Sequence, residues 1–294
     1  MRIKHIAKIK GGQDGVVWNN YLFRFNGAGV CYVYDIKQLN RYASEAVELK
    51  EISTFSLDRI DELKPHSNAV MFGKEFYSPD DEFPLLYTNI YNNYSGTDNP
   101  LKGVCLVYRL QRNGMEFSST LVQIIEIGFV EDSHYWKSCE DEEDVRPYGN
   151  FTIDAEKGTY YAFTMRDKEN TTRYFSFDLP KLSDGEKDEI YNVSKVTLSA
   201  CDIKEYFDCE YHRFIQGAAF YNGKIYSLEG FTNSQENPPA MRIIDVKEKK
   251  QVQFVDFMKM GLTIEPELID FYDDICYYAD NHGNLYIIDF SNDI

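Results

Sequence analysis

Apolar and polar positions along the chain alternate in short runs separated by turn residues, the period expected of successive half-buried β-strands. The clearest run is Gln216-Gly-Ala-Ala-Phe-Tyr-Asn-Gly-Lys-Ile-Tyr226, which predicts two strands joined at Asn222-Gly223. Both turn positions tolerate positive φ, so the pair is a strong hairpin signal. The same pattern recurs without a gap at Glu267–Tyr277, turning at Asp273-Asp274, and at Gln13–Phe23, turning at Asn19-Asn20. A fourth copy, Asn150–Tyr161, carries a longer turn ending at Gly158, and a fifth extends from His66 to Tyr77. Helical spacing is confined to Ser56–Lys64, where Leu57, Ile60 and Leu63 predict a short connecting helix.

Gln13, Asn68, Asn150, Gln216 and Glu267 mark equivalent positions, separated by 55, 82, 66 and 51 residues. Each interval accommodates four short strands and their turns, and four-stranded units repeated about an axis are the signature of a β-propeller. Further strands are expected at Val30–Asp35 and Glu48–Phe55, Gly103–Gln111 and Phe117–Ile127, Arg173–Asp178, Met241–Val246 and Gln251–Phe257. The last unit, ending with Leu285–Phe290, is one strand short, while Arg2–Lys10 is a strand without a unit of its own. Pairing the two closes the ring and removes two sheet edges, which favours a propeller over a β-sandwich. The expectation is an all-β, five-bladed propeller; a sixth blade would have to lie within the 82-residue interval. No linker divides the chain, so residues 1–294 read as a single domain.

Composition supports strands: 43% of residues are hydrophobic, and 23 Tyr and 20 Phe suit pleated, half-buried surfaces. A net charge of −17 argues against nucleic acid or an anionic membrane as partner, since both call for a basic surface. No run is long and apolar enough to span a bilayer, and Met1–Lys10 lacks the apolar core of a signal peptide, so the chain as given reads as cytoplasmic and soluble. Cys31, Cys105, Cys139, Cys201, Cys209 and Cys276 form no C-x-x-C pair and are expected to be reduced thiols. No metal site or cofactor is expected. His5, His66, His134, His212 and His282 lack ligand spacing, and Glu140–Asp144 lacks the alternating ligands and glycine of a calcium loop.

In a propeller the inner strands begin at one face of a central channel. That places Gln13 with Asp14, His66 with Asn68, Arg146 with Asn150, Arg213 with Gln216, and Glu265 with Glu267 around one mouth. Convergent polar groups in a concavity point to a binding site for a small polar ligand, a glycan being the chemistry that amides and charged groups suit. The competing reading is that these residues cap strand ends and bind one another.

The segment Gln13-Asp14-Gly-Val-Val-Trp-Asn-Asn-Tyr-Leu-Phe23 resembles the first inner strand of five-bladed glycoside hydrolases, in which an Asp precedes an apolar strand, a turn and an aromatic strand. That resemblance implies Asp14 as base and Glu265 or Glu267 as acid. The chain departs from that family at His66-Ser-Asn68, where those enzymes carry another aspartate, and at Arg213 and Gln216. The broader resemblance is to five-bladed propellers in general, carried by the repeated strand-turn-strand units. A third reading is a protein-interaction platform built on the rim loops, among them Glu131–Pro147 with Trp136.

Overall fold

The computed structural model describes residues 1–39, 44–90, 104–127, 150–164, 171–210, 212 and 214–290. The chain begins with β1 (Arg2–Lys8), then forms β2 (Gly15–Trp18), β3 (Tyr21–Phe25), β4 (Val30–Asp35), β5 (Val47–Glu48) and β6 (Ser53–Ser56). A one-turn helix, α1 (Ile60–Leu63), leads to β7 (Val70–Phe72), β8 (Leu86–Ile90), β9 (Val104–Asn113) and β10 (Glu116–Ile127). Next come β11 (Phe151–Asp154), β12 (Thr159–Thr164), β13 (Thr172–Asp178), β14 (Glu186–Lys187), β15 (Ser194–Leu198) and β16 (Glu205–Cys209). The remainder is β17 (Ile215–Tyr221), β18 (Lys224–Glu229), β19 (Ala240–Asp245), β20 (Lys250–Asp256), β21 (Pro266–Tyr272), β22 (Ile275–Asp280) and β23 (Asn284–Asp289).

These strands form five sheets, and β2, β7, β11, β17 and β21 are the innermost strands. β2 lies beside β7 and β21, while β17 lies beside β11 and β21, so successive sheets follow one another around an axis. The protein is a five-bladed β-propeller. Its turns follow the expected chemistry: Asn222 (φ 47°) with Gly223 (φ 73°), and Asp273 (φ 52°) with Asp274 (φ 60°), place two left-handed residues in each hairpin.

The predicted closure is present. β1 runs antiparallel to β23, from Arg2 opposite Asp289 to Lys8 opposite Asn284. β5 then pairs in parallel with β1, Ala7 opposite Val47. A second excursion follows the same rule: β15 pairs in parallel with β10, from Gln123 opposite Ser194 to Ile127 opposite Leu198, and β14 covers β15. Each excursion leaves between the third and fourth strands of one blade and covers the outer edge of the blade before it, protecting hydrogen-bonding groups that would otherwise be open.

The core is divided rather than central. Among the described residues five buried apolar clusters occur, one at each junction between neighbouring blades. Alternation along β9 shows why: Leu106, Tyr108 and Leu110 enter the layer against blade one, while Cys105 and Val107 enter the layer against blade three. A strand buried on both faces therefore feeds two cores with its two sets of side chains.

Three elements differ from the sequence reading. The hairpin expected at His66–Tyr77 does not form, because the partner of β7 is β8, which begins only at Leu86. Between them Ser78-Pro79 interrupts the strand pattern, and the loop folds back so that Leu85 N donates to Glu75 O at 2.8 Å and Phe83 is buried between blades one and two. β14 and β15 are strands for which the sequence reading had no counterpart. β16 supplies an outer strand of blade three that the sequence reading did not identify.

Candidate functional site

The inner strands start at the same face, here called the near mouth. Asp14 lies at the head of β2 and is fully buried. Its Oδ2 accepts a hydrogen bond from Val70 N of blade two at 2.8 Å, and its own N–H donates to Ser67 O at 3.2 Å. An innermost strand has no ladder partner on its channel side, so a carboxylate from the neighbouring blade satisfies an otherwise open N–H. Gln13 Nε2 donates to Glu267 Oε1 at 3.3 Å. Gln216 Nε2 donates to Glu265 Oε1 at 2.7 Å and to Gly230 O at 3.1 Å, and Asn281 Nδ2 donates to Glu265 Oε2 at 3.0 Å.

Gly217 explains the closeness of blades four and five. A Cβ there would stand 2.3 Å from Glu267 O and 3.7 Å from Asp14 Cγ, so only glycine lets these backbones approach. His66 is brought near Gln13: a Cβ on Gly27 would lie 3.6 Å from both Gln13 Cγ and His66 Cε1. Asn68 is held within blade two, where its Oδ1 accepts from Asn89 Nδ2 at 2.5 Å. Asn150 is buried at the head of β11, and its carbonyl accepts from Phe163 N at 3.2 Å. Arg146, Arg213, Trp136 and the rim loop Glu131–Pro147 lie outside the described residues.

Sequence reasoning missed Arg24, which is fully buried on β3. Its Nη2 donates to Gly12 O and Asp280 O, both at 2.8 Å, and the charges of Glu267, Asp14 and Asp280 act on it. Burial lowers its pKa from the ordinary arginine value while those carboxyls raise it. Burial pushes Asp14 and Glu267 well above the usual carboxylate range; the Arg24 guanidinium opposes this for both, and Glu265 adds to it for Glu267. Glu265, half-buried, is raised by burial and lowered by the bond from Asn281, and burial lowers His66. The same region contains buried polar atoms without a protein partner: Asp14 Oδ1, Glu267 Oε2, Arg24 Nε and Nη1, Asn281 Oδ1 and Asn150 Nδ2.

At the opposite end, the far mouth, a cavity of about 280 Å³ is lined by residues from all five blades. Asp270 of β21 accepts from Val17 N at 2.7 Å, repeating at this end the role Asp14 has at the other. Burial pushes Asp270 up to about 7 against the hydrogen bonds from Val17 and Phe271. Thr152, on β11, is fully buried in the same wall, and its Oγ1 has no partner. Asp154 is already paired, its Oδ2 3.6 Å from Lys157 Nζ.

Among the described residues no cluster of three or more His, Cys, Asp or Glu side chains is arranged to hold a metal ion. Cys31, Cys105, Cys209 and Cys276 are buried free thiols, and Cys201 is an exposed one. No helix of the described residues is long and apolar enough to cross a membrane.

No protein-family model matches the chain, and no curated protein matches it. Solved structures similar to it include the glutaminyl cyclase of Myxococcus xanthus, at 9% identity and a TM-score of 0.48, covering 98% of this chain and 96% of that one. The β-propeller domain of Cps50 (Swd1) from Myceliophteria thermophila is 8% identical with a TM-score of 0.42, covering 97% and 98%. BamB from Moraxella catarrhalis is 8% identical with a TM-score of 0.33, covering 95% of this chain and 59% of that one. At these levels the similarities carry nothing about what this chain binds or does.

Proposed function

We propose that residues 1–294 act as one recognition propeller that binds a small polar ligand, of the hydroxyl-rich kind that a glycan presents, at the near mouth. The observation that carries this reading is the concentration there of buried donors and acceptors without protein partners, from Arg24, Asp14, Glu267, Asn281 and Asn150. Native proteins leave few such atoms, and they concentrate where a ligand or ordered water completes them. Half-buried Gln13, His66, Glu265 and Asn281 form the outer layer that a ligand meets first.

Binding is favoured over glycoside hydrolysis by the electrostatics. Two-carboxyl hydrolysis uses one protonated and one ionised group. Asp14, Glu265 and Glu267 are all raised by burial, and Asp14 is committed to Val70 N.

Calorimetric titration with a panel of mono- and oligosaccharides tests the proposal. At least one sugar binds, and Gln13→Ala and Glu265→Gln each weaken it about tenfold, the effect of losing a hydrogen bond to a charged or buried partner. Absence of binding across the panel at millimolar sugar, or affinities unchanged in both variants, overturns it. Release of reducing sugar that Glu265→Gln abolishes would replace binding with hydrolysis.

A further inference from the structure

The far mouth differs in character from the near one. Its cavity of about 280 Å³ has walls that include Trp18, Phe72, Phe220 and Tyr272, from blades one, two, four and five. That volume is close to the lower end of ligand pockets, about 300 Å³, and suits a fragment-sized guest. The Trp18 ring packs against Phe72 and Tyr272 with centroids 5.6 and 6.1 Å away, and its Nε1 donates to Glu82 O, so this wall is fixed in place.

Polar groups line the cavity as well, among them Asp154, Glu156 and Lys157 of blade three, and two from different blades stand apart from that cluster. The Asp270 carboxylate is anchored by Val17 N, and no described Lys, Arg or His stands within ion-pair distance of it, whereas Asp154 nearby has Lys157. The Thr152 hydroxyl on the blade-three wall is wholly buried and unpartnered. A half-buried, desolvated carboxylate without a counter-charge is a costly arrangement unless something positive completes it. A divalent metal would need several oxygen ligands, and the described residues gather no such group. Aromatic walls beside a carboxylate with no described counter-ion fit instead a cation that carries an apolar body.

We propose that the far mouth binds a small organic ammonium ion, its N–H groups donating to Asp270 and the Thr152 hydroxyl and its apolar part lying against Trp18, Phe72, Phe220 and Tyr272. This site is independent of the near-mouth reading and stands or falls separately from it.

The test uses benzylamine at pH 8 and its neutral counterpart benzyl alcohol, titrated into the full chain and followed by calorimetry. Benzylamine binds saturably, benzyl alcohol binds at least tenfold more weakly, and Asp270→Asn, which keeps an acceptor for Val17 N, reduces benzylamine affinity at least tenfold. Thr152→Val reduces it about threefold and supplies a second reading should the Asp270 variant misfold. Glu248→Gln removes one exposed carboxylate from an outer hairpin and leaves the affinity unchanged, which separates the site from general attraction to an acidic protein. Equal affinity for amine and alcohol, full affinity in Asp270→Asn or in Thr152→Val, or no saturable binding at millimolar benzylamine overturns the proposal.

Discussion

Replacing Asp270 with asparagine removes one ionisation from the channel while leaving an oxygen to accept from Val17 N, 2.7 Å away. In the folded protein the Asp270 carboxyl titrates at about 7, against an ordinary value of 3.8, because burial disfavours its charge. Below about pH 4 both folded and unfolded chains hold the proton. Between about 4 and 7 only the folded chain holds it, so the unfolded state binds fewer protons and stability falls as pH rises. The full loss, about 4 kcal/mol, is reached above pH 7. Unfolding entropy of about 2.1 cal/mol/K per residue, summed over this chain, makes that about 6 °C in Tm. Differential scanning calorimetry from pH 4 to pH 8 should show the Asp270→Asn variant gaining about 6 °C on the parent across the range. Asp14 feels the Asp270 charge directly, as does Cys276, and Asp154, Glu156 and Lys157 line the same cavity. All are common to both proteins, so the difference in Tm reports Asp270 together with its direct effect on Asp14 and Cys276. A difference constant to within about 1 °C over the range would refute the claim that the channel desolvates this carboxyl.

Arg24→Met withdraws the cation that faces Asp14, Glu267 and Asp280, and urea unfolding should show a loss of about 3–5 kcal/mol; a loss below about 1 kcal/mol would mean the cluster does not rely on it. Gly217→Ala drives a Cβ to 2.3 Å from Glu267 O, a backbone atom that cannot rotate away, and should cost about 3 kcal/mol. Gly223→Ala, at φ 73° with open space around it, should cost only about 1–2 kcal/mol, and equal Tm losses for the two glycines would refute the close-approach argument. Removing residues 1–8 exposes the edge of β23 and takes buried Ile6 and Ala7 from the junction of blades five and one. The truncated chain should associate on size-exclusion chromatography or lose cooperative unfolding, and a monomer of unchanged Tm would show that closure is dispensable.

The hairpins at Asn222-Gly223 and Asp273-Asp274 were legible because turn chemistry is local, and the closure by β1 because both ends of the chain carried unpaired strand patterns. β15 was not legible, since Lys195-Val-Thr-Leu198 alternates over only four residues and its partner β10 lies far back in sequence. The near-mouth group of Gln13, Asp14, Gln216, Glu265 and Glu267 came from repeat alignment, which locates strand heads. That approach could not find Arg24, Asp280 or Asn281, which sit on or after second strands. A signal existed in each case: Arg24 occupies an inward position within the aromatic strand Tyr21–Phe25, and Asp270 interrupts the apolar run of β21. A lone charge in an otherwise buried strand marks a site that blade-to-blade comparison of strand heads passes over.

The pairing of β1 with β23 also governs the order of events during synthesis. β1 finds its antiparallel partner only after β23 has been made, so blades one to four can form while the ring is still open. During that interval β5 is already available and runs alongside β1 in parallel, which gives the waiting strand a companion from its own end of the chain. Closure of the ring therefore waits on synthesis of β23, and a nascent chain arrested before that strand carries an unsealed ring.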